Sequence, residues 1–533
     1  MLCASFIIAF KSPIQNAAAQ DTQFVVDTGF RAQKDGFSFQ NYGNKQGYSN
    51  LTPNDMRRLF GDVACDRIDG DNCILSAAGT EWMTNVNNYL AGGHCDGFAT
   101  LSYLFYLQQL NASDFGADRT IDLKIADNTK LQREIAYWWS TQTIAPTKGA
   151  RRQNFQALPK PSDVIKKFID DVNSKAETYT LYIAQPDWSH AHEITPYAVQ
   201  DKGNGLYWLM VYDNNYPNVE RYVVVDTNAE TWSYSTAANP ADTASAYNGT
   251  ADPMTMTLVP NSTRFGTQPC PFCQDQSSKA NGLAAPAPQY NEIWLTDTES
   301  ATSTIHLLIT DSQGNKLGYD NGKLVNQIPG ADFDALPTDN LWEDDVEPLY
   351  RIPVGIKFTV TIDASKLTTA ETAGVAMTGP GYDLAVDNIK LQPGESDTLT
   401  FSPDGKTLTY KPSGSESPDF SIGTKHADSD YDFDIKGFEV DKGATVNIGL
   451  DYDKGQLNLH TEGNTNPSVY AFAITRNTSK ETQSYSHDNI SLNPGGTIYL
   501  DFGKWDGKGD LTVEIDSNND QTVDQTINEP NQK

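Results

Sequence analysis

The stretch GGHCDGFATLSYLFYL, residues 92–107, sets a glycine-rich turn directly against an amphipathic helix and puts Cys95 at the junction. The first N–H groups of a helix have no partner inside it, and the macrodipole makes that end positive. A cysteine placed there is favoured as thiolate over thiol. Two later stretches bear on it. SHAHEITPYAV (189–199) reads as a strand carrying His190 and His192, and YWLMVYDNNYP (207–217) as an apolar strand that stops at Asp213, Asn214 and Asn215. Cysteine on a helix start, then histidine and Asp/Asn on consecutive strands, is the chain order of a thiol nucleophile, its base and an orienting group.

The three fit one geometry. Side chains alternate along a strand, so His190 and His192 share a face. His192 heads the alternating run EITPYAV and is favoured as the base, with His190 nearer the rim as its alternate. A hairpin of HEITPYAVQD and LYWLMVYD brings the end of the second strand beside the start of the first. That sets Asp213, with Asn214 as alternate, next to His192, where an acceptor would take the imidazole Nδ1–H and fix the tautomer. Asp96 beside the sulfur opposes thiolate formation and leaves the histidine to compensate. Each feature alone is ordinary, since a lone cysteine is usually inert core and Asp-Asn-Asn after a strand is usually a turn. A zinc site from Cys95, His190 and His192 lacks a close ligand pair on a helix and ranks well below the thiol reading.

Around these residues the pattern is α+β. DMRRLFGDV, EWMTNVNNYL, the Cys95 helix, KLQREIAYWWSTQT and PSDVIKKFIDDVNS show apolar residues at helical spacing between about 50 and 175. From about 178 the period changes to that of strands, in TYTLYIA, HEITPYAVQD, GLYWLMVYD, ERYVVVDT, ETWSYST and PMTMTLVP. The active site belongs in the cleft between the two halves. Residues 266–288, rich in Pro, Ala, Ser and Gly, read as a linker with few contacts crossing it. Beyond it short strands separated by Gly, Asn and Asp turns predict all-β sandwich domains, divided as 289–395 and 396–533. The whole is a multidomain chain.

Bulk properties narrow the classes. The 533 residues carry 69 Asp and Glu against 39 Lys and Arg, a formal charge of −30. That disfavours nucleic acid and anionic lipid as partners. An apolar run followed by Ala17, Ala18 and Ala19 reads as a secretory signal over 1–19, although the basic leader is missing. The context of Cys3 is poor for a lipid anchor. No later apolar run approaches the ~20 residues of a membrane span.

Of six cysteines, Cys65 and Cys73 bracket a short polar loop and are expected to bond, as are Cys270 and Cys273 in the CPFC string. A zinc ribbon at CPFC would need two further nearby thiols. Asp66, Asp69 and Asp71 are better read as a solvated loop than as a calcium site. No cofactor is called for. Structural calcium is the alternative left open by Asp516, Asn518, Asp520 and Asp524, against a Gln521 where such loops carry glycine and no closing glutamate.

The Cys95 helix, the HEITPYAV strand and the VYDNNYP strand end resemble the papain-like cysteine peptidase superfamily, in its bacterial secreted and bacteriocin-leader-peptidase-like branches. The resemblance covers about residues 50–260 and implies a papain-like domain over 20–265. It further implies peptide or amide hydrolysis through an acyl-enzyme, with Cys95, His192 and Asp213 or Asn214 as the triad and a peptide or protein as substrate. A cell-surface or polysaccharide ligand is the matching expectation for the β domains of a secreted enzyme. One departure stands out: the family's oxyanion glutamine is replaced by Tyr89, and Asn87 and Asn88 are the nearby amides to substitute for it. A transglutaminase-like acyl transferase, whose Cys-to-His spacing is shorter, ranks lower. A non-catalytic surface protein is the alternative from another class.

Overall fold

Thr52, Ser76 and Asn128 each start a helix. Thr52 forms a capping box with Asp55, Ser76 Oγ accepts from the Gly79 N–H at 3.1 Å, and Asn128 Oδ1 accepts from the Leu131 N–H at 3.2 Å. Such caps satisfy N–H groups that the helix itself leaves open. The computed structural model describes residues 24–234, 246–274, 289–296, 304–337 and 347–532. The signal expected at 1–19, with Cys3, lies outside the described residues.

The first half runs β1 (Phe24–Asp27), α1 (Ala32–Asp35), α2 (Pro53–Phe60), β2 (Cys65–Asp69), β3 (Asn72–Leu75), α3 (Ala77–Tyr89), α4 (Cys95–Tyr106), α5 (Thr129–Ser140), α6 (Ala145–Ala157) and α7 (Pro161–Ser174). The strands β4 (Tyr179–Ala184), β5 (Ala191–Asp201), β6 (Leu206–Tyr212), β7 (Arg221–Asp226), β8 (Thr231–Tyr234), β9 (Tyr247–Thr250) and β10 (Met256–Pro260) follow. They form an antiparallel sheet in the order β10-β4-β5-β6-β7-β8-β9, with β1 added to β5. α4 is buried from Cys95 through Phe105, the pattern of a helix enclosed on all sides. α6 had no apolar periodicity to announce it. It is held instead by ion pairs from Arg151 and Arg152 to Asp334 and Asp332.

The second half corrects the expected division. Strands from Tyr290–Thr296 to Thr482–Leu492 build a nine-stranded sheet, and strands from His306–Asp311 to Gln525–Glu529 an eleven-stranded one. Both sheets run through the boundary drawn at 395/396. Phe358–Asp363 pairs with Ser396–Phe401 in one, and Tyr382–Leu391 with Asp419–His426 in the other. Ile293, Val375 and Phe433 of the first sheet share a core with Leu307, Val360 and Leu459 of the second. Two β domains, 289–395 and 396–533, are therefore replaced by one sandwich.

The linker also needs correction. Residues 275–288 lie outside the described residues, but within 266–274 Gln268, Cys270 and Phe272 are buried. Gln268 N–H donates to Leu59 O at 2.7 Å, Gly381 N–H donates to Phe272 O at 2.8 Å, and the Phe272 ring sits 5.3 Å from Phe60 and 5.8 Å from Trp82. The halves meet along a dry seam in which Trp82, Tyr89 and Trp139 join Trp294, Leu349, Ala376 and Ala385. Trp82 Nε1 donates to Glu292 Oε2 at 2.9 Å and Arg351 Nη2 to Thr143 O at 2.9 Å. Gly423 is required there, because a Cβ would stand 2.6 Å from Ala77 Cβ. Few crossing contacts was the wrong expectation.

Cys65–Cys73 and Cys270–Cys273 are disulfide-bonded. Asp66 is drawn to Lys425 of the sandwich, at 3.1 Å. Asp516 accepts the N–H groups of Asn518, Asp520 and Gln521, and Asp524 accepts that of Ser517. Among the described residues no helix is long and apolar enough to cross a membrane, and no group of three or more His, Cys, Asp or Glu side chains is arranged for a metal ion.

Candidate active site

Gly93, at φ +131°, turns the chain into α4 in a backbone region that other residues avoid. Cys95 is the first helical residue and is fully buried, a thiol outside both disulfides. Gly97 follows because α5 crosses at that point. A Cβ on Gly97 would lie 2.1 Å from Ile135 O. The glycines on either side of the cysteine therefore set how the helix start is presented.

β5 and β6 deliver the other two groups. Thr195 pairs with Tyr212, so Asp213 lies one residue beyond the pairing, at the end where His192 sits. His192 Nε2 stands 2.9 Å from Asp213 Oδ1, and both side chains are 1 % exposed. The nitrogen facing the carboxylate is Nε2, where the sequence predicted Nδ1. Asp213 is itself tethered: Tyr234 donates its hydroxyl to Oδ2 at 2.5 Å and the Asn215 N–H donates to Oδ1 at 2.8 Å. Burial opposes the charge on Asp213. The His192 ring and these donors outweigh it and hold the carboxyl below its usual range. The Tyr247 ring lies nearly parallel to the imidazole, 6.3 Å between centroids.

Asn214 joins the helix to the strand. Its Nδ2 donates to Cys95 O at 3.1 Å and to Glu193 O at 3.0 Å. This carboxamide is therefore a clamp on two backbones rather than the partner of the ring. Thr195 adds a second tie by donating to Ala99 O at 3.0 Å. Burial chiefly keeps the hydroxyl of Tyr182, on β4, protonated, and a charge on Cys95 adds to that effect. Tyr182 pairs with Glu193, and the next residue, Ile183, pairs with His192. His190 precedes β5 and is half-buried, nearer solvent than His192.

Sequence reasoning missed the residues that manage the buried charges. Arg264, in the turn after β10, donates to both oxygens of Asp96 at 2.7 Å and to Thr141 and Thr180. The carboxylate that seemed set against a thiolate is thus matched by a buried guanidinium. Glu193, on the opposite face of β5 from His192, is pushed up to about 8 by burial and by Asp96. Asn41 is a second omission. Its Oδ1 accepts from the His94 N–H at 2.7 Å and the Tyr42 N–H at 2.9 Å, while its own N–H donates to Asn214 O at 3.0 Å.

The substitutes expected for the oxyanion glutamine are used elsewhere. Asn87 exchanges two hydrogen bonds with the Leu51 backbone, and Asn88 points to solvent from the α3 surface. Tyr89 donates to Glu347 O in the seam. No known protein family, curated protein or solved structure matches this chain.

Proposed function

We propose that the protein is a secreted thiol hydrolase with a papain-like first half, cleaving peptide or amide bonds through an acyl-enzyme on Cys95. The observation that carries this is the buried His192–Asp213 pair, joined to the Cys95 backbone by Asn214. A tethered carboxylate fixes the imidazole tautomer and stabilises the imidazolium, which leaves the opposite ring nitrogen, Nδ1, to serve the sulfur. In this reading the thiolate adds to the scissile carbonyl, His192 protonates the leaving amine, and the same ring then activates the water that releases the acyl group. The two disulfides agree with an exported protein.

The competing reading, a non-catalytic surface protein, draws support from Tyr89 and Asn87 being committed to other contacts and from Asn88 pointing to solvent. Labelling with a thiol-directed electrophile, followed by a screen of peptide and peptidoglycan substrates, separates the two. A hydrolase loses both labelling and turnover in Cys95→Ala while keeping its melting temperature. A binding protein shows no turnover to lose.

A further inference from the structure

We propose that the seam carries a proton-operated latch: carboxyl groups of the sandwich and of α3 meet there, docking the halves while protonated and loosening them once ionised. The latch does not depend on the chemistry at Cys95.

Strand register builds the cluster. Asp383 pairs with Gly423, and Gly423 pairs in turn with Asp432, so two carboxyl-bearing residues flank one that has no side chain. A Cβ on Gly423 would stand 1.8 Å from Asp383 Oδ1 and 2.6 Å from Ala77 Cβ, so that carboxyl and the start of α3 close over the same spot. Asp430, two residues before Asp432 and on the same face, accepts the Ala77 N–H at 2.7 Å. Glu81, one turn further along α3, adds its charge to those acting on Asp383.

Cations are few around this row. Lys425, opposite Asp430 in the register, reaches Asp66 of β2 at 3.1 Å, and its side chain is 41 % exposed. Arg67 acts on Asp66, and Lys436 acts on Asp432 and Asp434. Thr475 and Asn477, opposite Asp432 and Asp430 on the next strand, are uncharged. Glu292 shows the contrast. It lies in the same row as Asp383, beyond Thr378, and has Arg351 Nε at 2.7 Å and Trp82 Nε1 at 2.9 Å. Asp383 and Asp430 are buried, and Asp383 Oδ1 has no hydrogen-bond partner among the described residues.

Buried carboxyls without cations hold their protons. Burial first, then Glu81, Asp432 and Asp430, pushes Asp383 well above the usual carboxyl range. Burial and then Asp66 do the same to Asp430, and burial and then Asp434 push Asp432 up to about 7. All three lie above the ordinary 3.8, so the docked state keeps protons that the separated state gives up. The stabilisation is fully present below 3.8 and is lost as pH rises through about 7 and beyond.

Hydrogen exchange in the full-length chain, read peptide by peptide between about pH 5 and pH 9 and corrected for the intrinsic rate, tests the latch. Protection of α3, Asp419–His426 and Ser429–Lys436 should fall by about tenfold or more across that range. Asp383→Asn combined with Asp432→Asn keeps the shape of both side chains and cannot ionise, so protection there should stay nearly level. Asp432→Asn alone should show a smaller fall than the parent, and it carries the test if the double variant does not fold. Protection that is independent of pH in the parent overturns the latch. A parent-sized fall in the variants also overturns it, because the titrating charge then lies elsewhere.

Discussion

Arg264 holds Asp96 through both of its terminal nitrogens, each 2.7 Å from a carboxylate oxygen, and neither side chain reaches solvent. Removing one member of such a pair leaves a buried charge without its partner, at a cost of about 3–5 kcal/mol. Arg264→Met should therefore be strongly destabilised in urea unfolding at pH 7. Arg264→Met combined with Asp96→Leu should recover most of that loss. A single variant as stable as the parent would contradict the arrangement.

Glu193 gives the fold a pH dependence of definite sign. Its folded pKa, about 8, lies above the ordinary value of 4.5, so between those values the folded state keeps a proton that the unfolded chain has lost. This contribution is fully present below 4.5 and is lost as pH rises through 8. Glu193→Gln removes it. Unfolding free energies measured across that window should show the variant gaining on the parent as pH rises, and a pH-independent difference would count against the assignment.

The ring of His192 depends on Asp213 for orientation and for charge. Asp213→Ala should lower kcat by about 10²–10⁴, the range general acid–base groups command. Asp213→Asn should cost less, because an amide oxygen still accepts from Nε2–H. Steady-state kinetics on any substrate found in the screen will order the variants, and Asn falling below Ala would be inconsistent with this role.

Trp82 couples the halves. Trp82→Ala deletes a fully buried indole and leaves Glu292 without one of its two donors, for an expected loss of about 3–5 kcal/mol in thermal or chemical unfolding. The sandwich fragment expressed alone would expose Trp294, Leu349, Ala376 and Ala385, and should aggregate instead of melting cooperatively. A soluble fragment with a cooperative melt would show that the seam is dispensable.

What the sequence revealed was local. A helix with a mainly apolar pattern behind a Gly-Gly turn, and a hairpin whose second strand ends in Asp213, are patterns of neighbouring residues, and periodicity exposes them. The partners of those residues come from far along the chain. Arg264 meets Asp96 across 168 positions, and nothing in the string TRFG signals a buried cation. Asn41 sits in a loop without period, where an asparagine reads as a turn residue. The same limit explains the misplaced domain boundary. Phe358–Asp363 and Ser396–Phe401 each look like an ordinary strand, and only their pairing shows that 395/396 is interior to a sheet. The ring nitrogen facing Asp213 is fixed by rotation about side-chain bonds, which spacing does not encode.

The central claim is that Cys95 is activated by the buried His192–Asp213 pair at the start of α4. The pH dependence of Cys95 alkylation by iodoacetamide tests this most directly. The account predicts a rate that stays high well below the pKa of about 8.5 of an ordinary thiol. In His192→Ala the profile should move up toward that ordinary value. A parent profile that already titrates near or above about 8.5, unchanged in His192→Ala, would contradict it.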